Sequence, residues 1–346
     1  MGIISTLRKL FHREGRYKYE KRSLKRNTSM STPTPETIDP TGVSTEGSSR
    51  NQSSSNGTNH IFRDGRRYHG DSEVAYILPN DDDEADRVHQ QHWLLRYALQ
   101  GNFSSPVKKQ LEEGINVLDS GCGPATWTFE MGETYPRSKI YGIDASCVFP
   151  ENIMPPNVEF VIGNIAKEIP YEDNFFDFVH QRLLVLGLTD TDWTNTLAQL
   201  FRVLKPGGYI ECNEACIQEL LTVGPNMKAL QNAFMGMMVA RGIPFLVASE
   251  LEERLKKAGF VDVQVKLSKI PLNHGGKVGK LLWEDYFHVY TNARPALVFN
   301  NPEWEDPEVY AKLLRDSAEE SKQNKGHILW YSVHGRKPSL DTTTDE

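Results

Sequence analysis

From Ile115 onward the apolar positions fall into short runs separated by stretches of helical period. Ile115 to Leu118, Tyr141 to Asp144, Val158 to Ile162 and Phe175 to His180 read as strands, and Leu204 to Glu211 as a helix end, a turn and a fifth strand. Ala125 to Tyr135, with Pro124 as a first-turn proline, and Trp193 to Leu204 read as helices between them. Such alternation predicts an α/β fold, a doubly wound parallel sheet covered on both faces. Met227 to Arg241 adds a helix with a methionine stripe that suits core or the wall of an apolar pocket. Ser249 to Ala258 is another, with Ser249 as its cap and Gly259 as its stop. Phe260 to Ile270 alternates as a sixth strand, and Gly326 to Arg336 is the last. Between these two, residues 272–325 carry two helices, about 277–291 and 307–322, too long for a plain connection and placed to close a substrate pocket.

Upstream the pattern weakens. Asp81 to Glu84 opens a helix whose acids suit its N-terminus and whose Val88, Trp93, Leu94, Tyr97 and Ala98 are expected to face inward, with Gly101-Asn102 ending it. His89 and His92 stand three apart on it, but no third metal ligand is near them, so packing is expected and no metal site. Residues 27–60 hold 15 Ser and Thr in 34 positions and no aromatic residue, too little apolar surface to offset chain entropy. The expected organisation is a basic, amphipathic tail (1–26), a disordered linker (27–60), a helical cap (61–110), a catalytic domain (111–338) and a short disordered tail (339–346).

Charge sharpens this division. The chain's net charge of −7 combines +7 in residues 1–26 with −14 in the remainder. An acidic folded part argues against a broad nucleic-acid surface, which needs clustered Lys and Arg. The four cysteines show no zinc spacing and look like free intracellular thiols. No run is long enough to span a bilayer. Met1-Gly2-Ile3-Ile4-Ser5-Thr6 fits the myristoylation pattern, with Gly2 as the acylated residue. One acyl chain binds membranes marginally, and the nine bases of residues 1–26 supply a second signal for peripheral contact. A nuclear-import signal and a mitochondrial presequence are alternative readings of the same bases. The expected location is cytoplasmic, nuclear or both, with or without the tether.

The candidate chemistry begins at Asp119-Ser120-Gly121-Cys122-Gly123, a strand end, a Gly-x-Gly turn and a helix start that suit a nucleotide-like cofactor. A dinucleotide fingerprint wants a small residue where Thr126 stands; S-adenosylmethionine is the other candidate. Asp144, 23 residues after Gly121, is placed for ribose hydroxyls, and Asn164 closes the third strand. Together with the Leu204-Lys205-Pro206-Gly207-Gly208 turn, this ordered set resembles the class I S-adenosylmethionine-dependent methyltransferases. Arg67-Tyr68-His69, Tyr76 to Asp81, Gln91-His92, Pro155 to Val158 and Phe178 to Arg182 are similar, more narrowly, to the fungal TAM-type methyltransferases and the methyltransferase-like regulators of the velvet complex. The resemblance spans roughly residues 62–338 and departs at Ala125, where many members carry a third glycine.

The resemblance implies a seven-stranded sheet with its last strand antiparallel, and a cofactor site at Asp119, Gly121, Cys122, Gly123, Asp144, Ala145, Asn164, Ile165 and His180. Tyr68 and Tyr76 are expected to lie over the cofactor in a lid. Methyl transfer needs alignment, exclusion of water and sometimes a base, which leaves the acceptor, a small molecule or a protein, nearly silent in the sequence. His180 at a strand's carboxyl end is a candidate general base, weighed against packing, and Glu214 is a candidate facing substrate, as is Glu211 more weakly. A cofactor-binding regulator that works by protein association is the alternative function. A dinucleotide oxidoreductase is disfavoured by the Lys-Pro-Gly-Gly turn.

Overall fold

A computed structural model of the chain describes residues 60–63, 65–70, 75–150 and 154–339. The expected basic tail with Gly2, the linker up to residue 59 and the end from residue 340 lie outside the described residues.

Seven strands form one sheet: β3 (Asn116–Ser120), β4 (Lys139–Asp144), β5 (Val158–Ile162), β6 (Phe176–Arg182), β7 (Leu204–Leu221), β8 (Val261–Pro271) and β9 (His327–Arg336). Their order is β5-β4-β3-β6-β7-β9-β8, with β9 antiparallel to both neighbours and the pairs from β5 to β7 parallel. The chain leaves β3 toward β4 and β5, then returns to lay β6 on the other side. That reversal opens a crevice at the carboxyl ends of β3 and β6, where open α/β sheets take their ligands.

Among the described residues eight α-helices flank the sheet or cap it: α1 (Asp82–Ala98), α2 (Lys108–Glu113), α3 (Thr126–Thr134), α4 (Asp190–Val203), α5 (Pro225–Ala240), α6 (Val247–Lys257), α7 (Lys277–Leu297) and α8 (Pro307–Gln323). α4 begins three residues before the apolar period does. Thr189 and Asp192 form a capping box there, each side chain accepting from the other's backbone amide. Two expected helix starts are corrected. Pro124 stands outside α3, because Ala125 takes a left-handed φ of +63° and serves as N-cap. Ser249 lies inside α6 and gives its hydroxyl to the Leu246 carbonyl, so Leu246 is the N-cap.

Before α1 the described residues include an antiparallel pair, β1 (His60–Arg63) and β2 (Arg66–His69). On α1 the expected inward face is also corrected. Tyr97 is 59% exposed, while Glu84, Arg87 and His92 are buried with Leu94 and Leu95. Arg87 explains this inversion, since it pairs with Glu84 on its own helix and with Asp285 of α7. A buried triad thus ties the cap to the insertion.

Candidate functional site

The loop after β3 is shaped by its backbone. The Gly121 and Cys122 amides donate to the Ile143 carbonyl at 2.8 and 3.0 Å. Gly121 has φ +71°, and a Cβ there would meet Leu184 at 2.7 Å. Gly123, at φ +53°, has no atom within 4 Å of where its Cβ would stand, so the loop faces open space a ligand can enter. Its amide donates to Asp144 at 2.9 Å, and the Ser146 amide donates to the other Asp144 oxygen at 2.9 Å. Burial raises the Asp144 pKa, and these two amides oppose that shift. With about four lone-pair positions, the carboxylate keeps capacity for a ligand's hydroxyls.

A cavity of about 260 Å³ runs from this loop. Of the residues expected at the cofactor, Asp119, Gly121, Cys122, Gly123, Asp144, Ala145, Asn164, Ile165, His180 and Tyr76 line it; Tyr68 does not, and His69 stands there instead. Cys122 is buried, and burial pushes its thiol pKa well up. Burial likewise raises the Tyr76 hydroxyl. The far half of the cavity is apolar, walled by Phe234 of α5, Leu282, Tyr286, Val289 and Tyr290 of α7, and Trp330 of β9. Burial raises the pKa of Tyr286 well above its ordinary value and keeps the hydroxyl neutral.

The candidate acids and bases are placed less favourably. His180 is 1% exposed and lies flat against Trp127, with ring centroids 3.9 Å apart and planes at 3°. Its Nδ1 faces Asp119 at 3.2 Å, and Nε2 is sealed without a partner. A base must reach the proton it removes, so in this conformation His180 holds Asp119 and Trp127 in position. Glu214 is turned away from the cavity: fully buried, it accepts the Leu184 and Val185 amides at 2.8 and 3.2 Å and is not among the residues lining it. Burial pushes its pKa up to about 8. Glu211 accepts the Ser104 and Ser105 amides and pins that loop.

Sequence reasoning missed the buried polar net behind the cavity. His89 and His92, considered as a metal pair, instead bind α1 to α3. His89 Nδ1 meets the Thr126 hydroxyl at 2.9 Å, and His92 Nε2 donates to Glu130 at 2.7 Å. Among the described residues no group of three or more His, Cys, Asp or Glu is placed to hold a metal. Arg182 donates to His92 Nδ1 at 3.0 Å and lines the cavity. Its signal was visible: two residues past His180 on a strand, it shares that residue's face.

Comparison with known proteins agrees with this geometry. A family model described as a methyltransferase domain matches residues 89–265. The chain is 29% identical over 282 residues to the methyltransferase pytC of Aspergillus terreus, covering 78% of this chain and 85% of that protein. It is 26% identical over 281 residues to the N-methyltransferase gliN of Aspergillus fumigatus, covering 78% and 98%. The secondary metabolism regulator LAE1 of Cochliobolus heterostrophus is 27% identical over 223 residues, covering 62% and 71%.

Proposed function

This chain belongs to the methyltransferase-domain family and is an S-adenosylmethionine-dependent methyltransferase; from that premise we propose that its acceptor is a small molecule drawn into the apolar half of the cavity. The observation that carries this reading is the aromatic wall of α5, α7 and β9, continuous with the glycine loop. The similarity to an N-methyltransferase that spans almost its full length favours nitrogen as the receiving atom.

The residues present fit the cofactor. The bare backbone at Gly123 leaves room for it, and Asp144, Asn164 and Ile165 stand at successive strand ends where its adenosine would be held. Asp119 and Gly121 would hold the methionine end, with Tyr76 covering the site. When bound, the cofactor supplies a methyl group on a positively charged sulfur. The chain's own task is to orient the acceptor and keep water out. The apolar wall does the second, and the neutral Tyr286 hydroxyl is available to orient a polar group of the acceptor. His180 serves as a positioning residue.

The test is transfer of labelled methyl from S-adenosylmethionine into a fractionated cell extract. Label in the small-molecule fraction is expected; label confined to protein would overturn the assignment of the acceptor. The division into a cap over residues 61–110 and a catalytic domain over 111–338 is part of the same proposal. So is a membrane tether through Gly2 and the bases of residues 1–26. Among the described residues no helix is long and apolar enough to cross a membrane. An intact mass without an added acyl chain after eukaryotic expression would remove the lipid.

A further inference from the structure

Two arginines line the cavity, and they are treated oppositely by their surroundings. Arg87 is fully engaged, giving Nε and Nη2 to Glu84 and Nη1 to Asp285. Arg182 has no carboxylate within ion-pair distance among the described residues; its one hydrogen bond there runs from Nη2 to His92 Nδ1. Nε and Nη1 have no protein partner among the described residues, yet neither is among the sealed, unpartnered atoms. These donors therefore open into the cavity.

Their direction is set by a relay. Glu130 accepts the Nε2 proton of His92, so Nδ1 keeps the lone pair that receives Arg182. Burial depresses the His92 pKa to about 4, which keeps the ring neutral and able to accept. Burial also lowers the Arg182 pKa, as expected of a guanidinium short of water and of counter-ions. Arg182 stands beside the glycine loop: Leu184, two residues on, abuts Gly121, and His180, two residues back, pairs with Asp119. A partly desolvated guanidinium with free donors fits an anion. S-adenosylmethionine carries a single anionic group, the carboxylate of its methionine part.

We propose that Arg182, aimed by His92, receives the carboxylate of the cofactor's methionine end. This rests on the reading that the cofactor lies along the loop from Gly121 to Gly123. The experiment compares two ligands by calorimetry on the full chain. S-adenosylhomocysteine has the carboxylate, and 5′-methylthioadenosine keeps the nucleoside and the sulfur but lacks the amino-acid part. In Arg182→Gln, affinity for S-adenosylhomocysteine is expected to fall about 10- to 100-fold while that for methylthioadenosine stays within about 2-fold. His92→Asn should show a smaller loss of the same selective kind. Equal weakening of both ligands would make Arg182 a structural residue, and unchanged affinity for both would assign it to another anion; either overturns the proposal while the cofactor site stands. Should Arg182→Gln fail to fold, Arg182→Lys, which keeps the charge but not the fork, is read by the same ratio. An unmodified protein that binds neither ligand would overturn the cofactor site and the proposal with it.

Discussion

Gly121 and Leu184 meet where the loop after β3 faces the turn after β6, and a side chain at Gly121 would press on the end of the Leu184 side chain. Gly121→Val adds a Cβ 2.7 Å from the tip of Leu184 at a φ of +71°, so it strains the backbone and pushes the Leu184 side chain aside. Calorimetry should show S-adenosylmethionine affinity at least about 10-fold weaker, at a cost of about 1–2 kcal/mol from the backbone alone. His92 gives a pH signature. Its folded pKa, near 4, lies below the ordinary 6.5, so between those values the unfolded chain holds a proton that the folded chain refuses. Stability conferred by the neutral ring is therefore present above pH 6.5 and is lost as pH falls toward 4. Urea midpoints measured across that window should fall less steeply in His92→Asn than in the parent. For His180, a positioning role predicts that His180→Asn, which can still donate to Asp119, keeps turnover within about 10-fold. A loss of about 100-fold or more, with cofactor affinity and stability kept, would restore it as a general base.

At the scale of elements, α1 and α7 both border the cavity and are tied to each other by buried side chains. Arg87 is at the centre of this contact, held between Glu84 and Asp285 at 2.6 Å on each side, with Gln91 donating to Asp285 and Asn292 to Glu84 beside it. Arg87→Met leaves two buried carboxylates without their counter-ion and should cost about 3–5 kcal/mol, read as a lowered denaturant midpoint. Replacing all three by apolar residues of similar volume should restore most of it. This contact also shows what the sequence hid. The strands were legible as short apolar runs bounded by turn residues: Val158 to Ile162 was placed to the residue, although this edge strand is only partly buried. α1 misled because its buried stripe is charged, and no apolar period announces Glu84 or Arg87. The pairing partner, Asp285, lies 198 residues away from Arg87, a distance over which local pattern carries no information. The glycine loop and Asp144 were legible as backbone chemistry, whereas Glu214 looked free to face substrate until the Leu184 and Val185 amides claimed both of its oxygens.

For the molecule as a whole, cofactor binding should tighten parts that belong to different layers. Tyr76, α1 and the turn after β6 all border one cavity, so a ligand filling it joins the cap to the sheet. Hydrogen exchange around Tyr76 and in the turn at residues 183–187 should slow together on adding S-adenosylhomocysteine. Slowing at the turn alone would show that Tyr76 anchors the cap without closing over the site.

The insertion between β8 and β9 has a consequence for inheritance. The family model ends at residue 265, whereas Leu282, Tyr286, Tyr290 and Trp330 lie beyond it. On the reading that the apolar wall takes the acceptor, most of it, Phe234 excepted, is written apart from the glycine loop, and the ion triad of Arg87, Glu84 and Asp285 is one of the contacts that join the two stretches. Were α7 to choose the acceptor, as proposed above, descendants of such a chain could trade one acceptor for another by drift in α7 while the glycine loop stays as it was, provided Asp285 keeps its place opposite Arg87.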